Sequence, residues 1–122
     1  MTLTMVLLAG LMGASGVVLA AAAAHTASGG SGLETAAYML LLHAAALLGG
    51  ATLLQQGLPH RAIMLGVLTA WVLGTALFSG DITLRAFTGH RLFPLAAPAG
   101  GIILIVGWLG LAASAIKALV RG

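Results

Sequence analysis

Long uninterrupted runs of apolar residues, separated by short polar breaks, define this chain. Leu3 to Ala24 carries no charged residue over its whole length. About 20 apolar residues in a helix cross the roughly 30 Å hydrocarbon core of a bilayer, so this run predicts a first span over 3–24. The pattern repeats over 33–54, 62–87 and 99–120, predicting four spans in one transmembrane domain, residues 1–122. Between spans one and two, His25 to Gly32 reads HTASGGSG, a turn by its Gly and Ser content. Ser31 with Glu34 three residues on resembles a capping box that would open helix two, and Glu34 then suits the positive end of the helix dipole. Gln55 to Arg61, QQGLPHR, breaks spans two and three. Residues 88–98 form a polar elbow in which Gly89, Pro94 and Pro98 oppose one continuous helix.

A secretory signal peptide is the rival for the first run, because its Ala-rich end could pass for a cleavage site. A signal peptide has a basic segment ahead of its apolar region. No Lys or Arg precedes Leu3, so a first transmembrane helix is expected.

Composition makes the class firm. The chain is 61% hydrophobic and 6% charged, whereas a soluble domain is about 25% charged because water must wet its surface. An all-α integral membrane protein with four transmembrane helices in a compact bundle follows, with membrane lipids as its surroundings. The five basic residues are scattered, and a nucleic-acid footprint needs them clustered on one face. There is no cysteine, hence no disulfide framework or thiolate chemistry.

Small residues recur at helical spacing. Gly10, Gly13 and Gly16 mark one side of span one, and Gly66, Ala70 and Gly74 form the clearest small-xxx-small ridge. Gly107 offers the same in span four. In lipid the hydrophobic drive between helices is weak, so close approach at small residues supplies much of the packing. Ridges on several helices also suit a homo-oligomer or a subunit of a larger membrane assembly.

Candidate chemistry is sparse. His43 lies about ten residues into span two, near mid-membrane at 1.5 Å rise per residue. An ionisable group there is a functional candidate, although one hydrogen bond from a neutral imidazole could equally lock two helices. Asp81 and Arg85 stand one turn apart and are expected to pair at a solvated membrane edge. With His90 and Arg91 they make a polar rim. His25 and His43 are predicted at different depths, whereas an axial haem pair needs both rings level with one iron. A nucleophile, base and acid would need Ser15, Ser79 or Ser114 beside a histidine, and spacing alone puts none there. No phosphate loop, nucleotide fingerprint or close metal-ligand pair is present. Neither a cofactor nor an enzymatic activity is expected. A runner-up role is binding or carrying a hydrophobic, lipid-like ligand in a cavity near His43 and the elbow.

With four spans, both termini share a side with Arg61, Lys117 and Arg121, against Arg85 and Arg91 opposite. The positive-inside rule then places the termini in the cytoplasm.

One series of residues carries a resemblance: Leu77-Phe78-Ser79-Gly80, Thr88-Gly89, Pro98-Ala99-Gly100-Gly101 and Gly107-Trp108. It resembles the bacterial domain-of-unknown-function family 423, related to the eukaryotic transmembrane protein 256 family. His25 matches the histidine closing that family's Gly-rich first helix, while Ala20, Ala22 and Ala23 stand where the family has glycines and an aromatic. The family's second helix carries a Tyr near a His, and Tyr38 and His43 lie one residue further apart than that pattern. The resemblance implies a four-helix protein of the bacterial inner membrane with no established activity.

Overall fold

The computed structural model describes residues 2–26 and 32–122. Ser31, the proposed partner of Glu34 in a capping box, lies outside them. Four helices follow one another: α1 Thr2–Ala24, α2 Leu33–Gln55, α3 Arg61–Thr88 and α4 Ala96–Arg121. Each is long and apolar enough to cross a membrane. Packing is sequential, with α1 along α2, α2 along α3 and α3 along α4. Large apolar side chains such as Leu3, Val18, Ile105 and Leu119 point outward and are exposed. Water would penalise such a surface, while lipid tails match it.

The core sits where α2, α3 and α4 converge: Leu47, Met64, Leu68, Trp71 and Leu104 are all buried there. Glycines set how closely the helices meet. A Cβ on Gly100 would lie 2.6 Å from the Phe78 nitrogen and 2.7 Å from the Gly74 carbonyl oxygen. The α3–α4 crossing is therefore backbone against backbone, possible only without side chains. Gly50 and Gly107 make the flats on which Trp71 rests, and Gly16 accepts Leu41 of α2.

The ridges expected from spacing divide. Gly13 and Gly16 face α2, but a Cβ on Gly10 would meet nothing. Steps of three residues rotate about 60° backward around a helix of 3.6 residues per turn, so three such glycines cannot all face one neighbour. On α3, Gly74 meets α4, whereas Gly66 looks outward onto open space.

Helix α4 starts at Ala96, three residues ahead of the expected Ala99, and takes in Pro98. Proline lacks only an N–H, and the first-turn amides of a helix have no carbonyl partner anyway. Pro98 thus sits within the helix start instead of in the elbow. The turn into α4 falls on Leu95, a non-glycine residue at φ 66°.

Candidate functional site

Three polar constructions interrupt the apolar bundle. At mid-depth, His43 of α2 is 1% exposed. Its Nδ1 lies 2.8 Å from the Met39 carbonyl oxygen, and Trp108 of α4 donates its indole N–H to His43 Nε2 at 3.1 Å. A carbonyl can only accept and an indole N–H can only donate. One neutral tautomer, with the proton on Nδ1, satisfies both partners. Trp71 packs beside this pair, its ring centroid 4.5 Å from that of Trp108 and 6.4 Å from that of His43. The Trp71 indole N–H is buried without a partner. With both ring nitrogens engaged, His43 ties helices together here and presents no free lone pair. His25 follows the end of α1 and is exposed, far along the chain axis from that depth. Tyr38 points elsewhere, donating its hydroxyl to Glu34 Oε1 at 2.9 Å on the surface.

The second construction is at the elbow, and it departs from the solvated rim expected of the charged residues. Asp81 is 2% exposed. Its Oδ1 accepts the Leu92 backbone N–H at 2.9 Å, and its Oδ2 lies 3.6 Å from an Arg85 nitrogen. After Gly89, at φ 74°, the chain folds back over α3. That fold buries the carboxylate and gives it a backbone donor, which spacing along one helix could not reveal. Ser79, two residues earlier, is also buried and donates to the Ala36 carbonyl of α2 at 3.0 Å. Arg85, His90 and Arg91 remain exposed, as a rim should be. The elbow residues therefore split into a buried joint and a wet edge.

Third, an open groove of about 720 Å³ lies between α1 and α3, floored by Leu40 of α2 and ended by Phe87 and Leu92 near the elbow. Such a volume lies within the usual range for small-molecule sites. Its walls are mostly apolar, but α3 contributes Thr75, Ser79 and Thr83, one turn apart. The expected cavity beside His43 is not where the space lies, since the His43 side is filled by Trp71 and Trp108. A hydroxyl stripe at i, i+4 and i+8 was legible in the sequence, but its facing a gap depends on how α1 packs.

Two of the serines weighed as nucleophiles are engaged with backbone. Ser114 of α4 accepts the His60 backbone N–H at 3.2 Å, and Ser79 is bonded to α2. Among the described residues no group of three or more His, Cys, Asp or Glu could hold a metal ion.

A family model described as "Protein of unknown function (DUF423)" matches residues 4–101, from near the start of α1 into the first turns of α4. The chain belongs to that family. It is also similar to the "UPF0382 membrane protein" of Haemophilus influenzae, 32% identical over 50 residues, which is 41% of this chain. The match spans 40% of that relative's length. No solved structure matches the chain. The relative's description and four apolar helices agree on a multi-pass membrane protein. Asp81, Leu92 and Gly100 all fall inside the matched stretch.

Proposed function

We propose that this protein is a non-enzymatic, multi-pass protein of the bacterial inner membrane that binds a lipid-like amphiphile in the groove between α1 and α3. The observation that carries this reading is the groove itself, about 720 Å³ and largely apolar. It opens along the flank of the bundle, whereas the space beside His43 is taken by Trp71 and Trp108. A chain-shaped ligand would lie along α3 with its head toward the elbow, where Arg85, His90 and Arg91 are exposed. Arg61, Lys117 and Arg121 at the other end favour termini in the cytoplasm. The non-enzymatic part rests on His43, whose two nitrogens are both engaged, and on Ser79 and Ser114, each bonded to backbone.

The test is native mass spectrometry of the purified chain after detergent exchange, compared with Ala76→Phe. Ala76 lines the groove and is exposed, so a phenyl ring there fills the space without entering the core. Retention of an amphiphile by the natural chain and its loss from the variant supports the reading. Equal retention, or none in either protein, sinks it.

A second surface favours lateral association with another copy or a partner subunit. Gly66, Ala70, Gly107 and Gly110 line a shallow outward concavity of about 330 Å³ between α3 and α4. Small residues of this kind admit a crossing helix in lipid. Cross-linking in mild detergent that gives dimers with the natural chain and monomers with Gly66→Leu would support it. A monomer in both would remove it.

A further inference from the structure

Threonine hydroxyls in apolar helices ordinarily bond the carbonyl one turn back, because no other acceptor is near. Thr52, Thr69 and Thr88 do this here, to Leu48, Leu65 and Leu84, at 2.7–2.9 Å. Thr75 and Thr83 do not: each Oγ1 is buried and has no partner. Thr75 is wholly buried at 0% exposure, and both residues line the groove. An unpaired buried hydroxyl carries a desolvation cost that a hydrogen bond would remove. In hydrocarbon there is no water to supply that bond.

Taking the amphiphile-binding reading as its basis, we propose that the groove selects ligands with a carbonyl on a long apolar chain, and that Thr75 and Thr83 are the donors that recognise it. The two hydroxyls stand eight residues apart, about 12 Å along α3. Thr75 is near the middle of the helix and Thr83 near the elbow. A ring carbonyl of a prenylated quinone reaches the deeper position, and the ester carbonyl of a glycerolipid reaches the shallower one. The chemistry they share is a carbonyl oxygen that accepts a hydrogen bond out of contact with water. Ser79 stands between the two but is already donating to Ala36, so it fixes α3 against α2 and leaves recognition to its neighbours.

The experiment uses the full chain in nanodiscs of dialkyl phosphatidylcholine, which has no ester carbonyl. Three diazirine-tailed probes are compared: an ester-linked phosphatidylglycerol, a ubiquinone analogue, and an alkane of matched length. Labelled residues are located by mass spectrometry. At least one carbonyl probe should label the groove about fivefold more than the alkane, the difference that one hydrogen bond makes. Which of the two does so identifies the source of the carbonyl. The double variant Thr75→Val and Thr83→Val should drop that labelling to the alkane level, while Thr75→Ser with Thr83→Ser keeps it. Valine nearly matches threonine in shape and removes an unpaired polar group, so the double variant should unfold at the same temperature as the natural chain or above it. Equal labelling of the groove by all three probes, unaffected by valine, overturns the carbonyl selectivity and leaves a groove that takes any chain. Labelling of the groove no stronger than of the outward faces of α1 and α4 overturns both readings.

Discussion

Trp108 reaches His43 across 65 residues of sequence, and this one bond ties α4 to α2, two helices that both pack against α3. The indole supplies the proton and the imidazole accepts it, because Nδ1–H is already committed to the Met39 carbonyl. A group that composition marks as a possible reactive centre is here a fastener.

Replacing Trp108 by Phe should therefore destabilise the bundle. An aromatic six-membered ring stays, while the N–H is lost together with the five-membered ring that carries it. Interhelical hydrogen bonds in membranes are worth about 0.6 kcal/mol on average and up to about 1.7. We expect a loss near the upper figure, since His43 Nε2 is left buried without a donor. Unfolding of the reconstituted protein against increasing denaturing detergent measures it. A variant as stable as the natural chain would contradict the fastening role.

Two glycines on neighbouring helices should respond in opposite ways to alanine. Gly100→Ala puts a methyl into the Phe78 nitrogen and the Gly74 carbonyl, where no side chain can move aside. Overpacking of this kind costs about 1–3 kcal/mol or more. Gly66→Ala meets open space and gains up to about 1 kcal/mol of helix propensity. Thermal unfolding of the pair, side by side, checks the contrast.

The elbow should depend on the acceptor at position 81 more than on its charge. Asp81→Ala leaves the Leu92 N–H unpaired and frees residues 89–95, at a cost of about 1–3 kcal/mol. Asp81→Asn keeps an oxygen that can accept the same N–H, and gives up only an ion pair 3.6 Å long with a half-exposed arginine. Limited proteolysis should cut the alanine variant in the elbow well before the asparagine variant. Equal cutting would mean that the charge pair, not the backbone bond, holds the turn.

Leu95→Gly should stabilise the protein. Leu95 adopts φ 66° and is exposed, so little packing is lost on removing its side chain. A left-handed conformation costs an L-residue about 1–2 kcal/mol, offset in part by the greater freedom of glycine when unfolded. A net gain of about 0.5–1 kcal/mol is expected from thermal unfolding.

The positions that spacing singled out met different fates for local physical reasons. Asp81 and Arg85 do pair one turn apart, as helical geometry requires, yet the more consequential partner is the Leu92 amide beyond the turn. Gly74 was legible as a packing residue, but the equally tight approach at Gly100 shows only once its neighbours are known. Thr75 and Thr83 look in sequence like ordinary back-bonding threonines of an apolar helix. That both hydroxyls are buried without a partner beside the groove shows only in the tertiary structure.

By itself the order of residues determined the number of helices, their rough limits and their medium. Those follow from the length of uncharged runs and from the inability of 6% charge to cover a water-facing surface, both additive along the chain. Tertiary structure decided which faces meet: that His43 finds an indole from α4, that Asp81 is buried under the elbow, and that α1 stands away from α3. Rotation and crossing of each helix set those outcomes. They turn on a few contacts, such as Gly74 against Gly100, between residues that no local pattern connects.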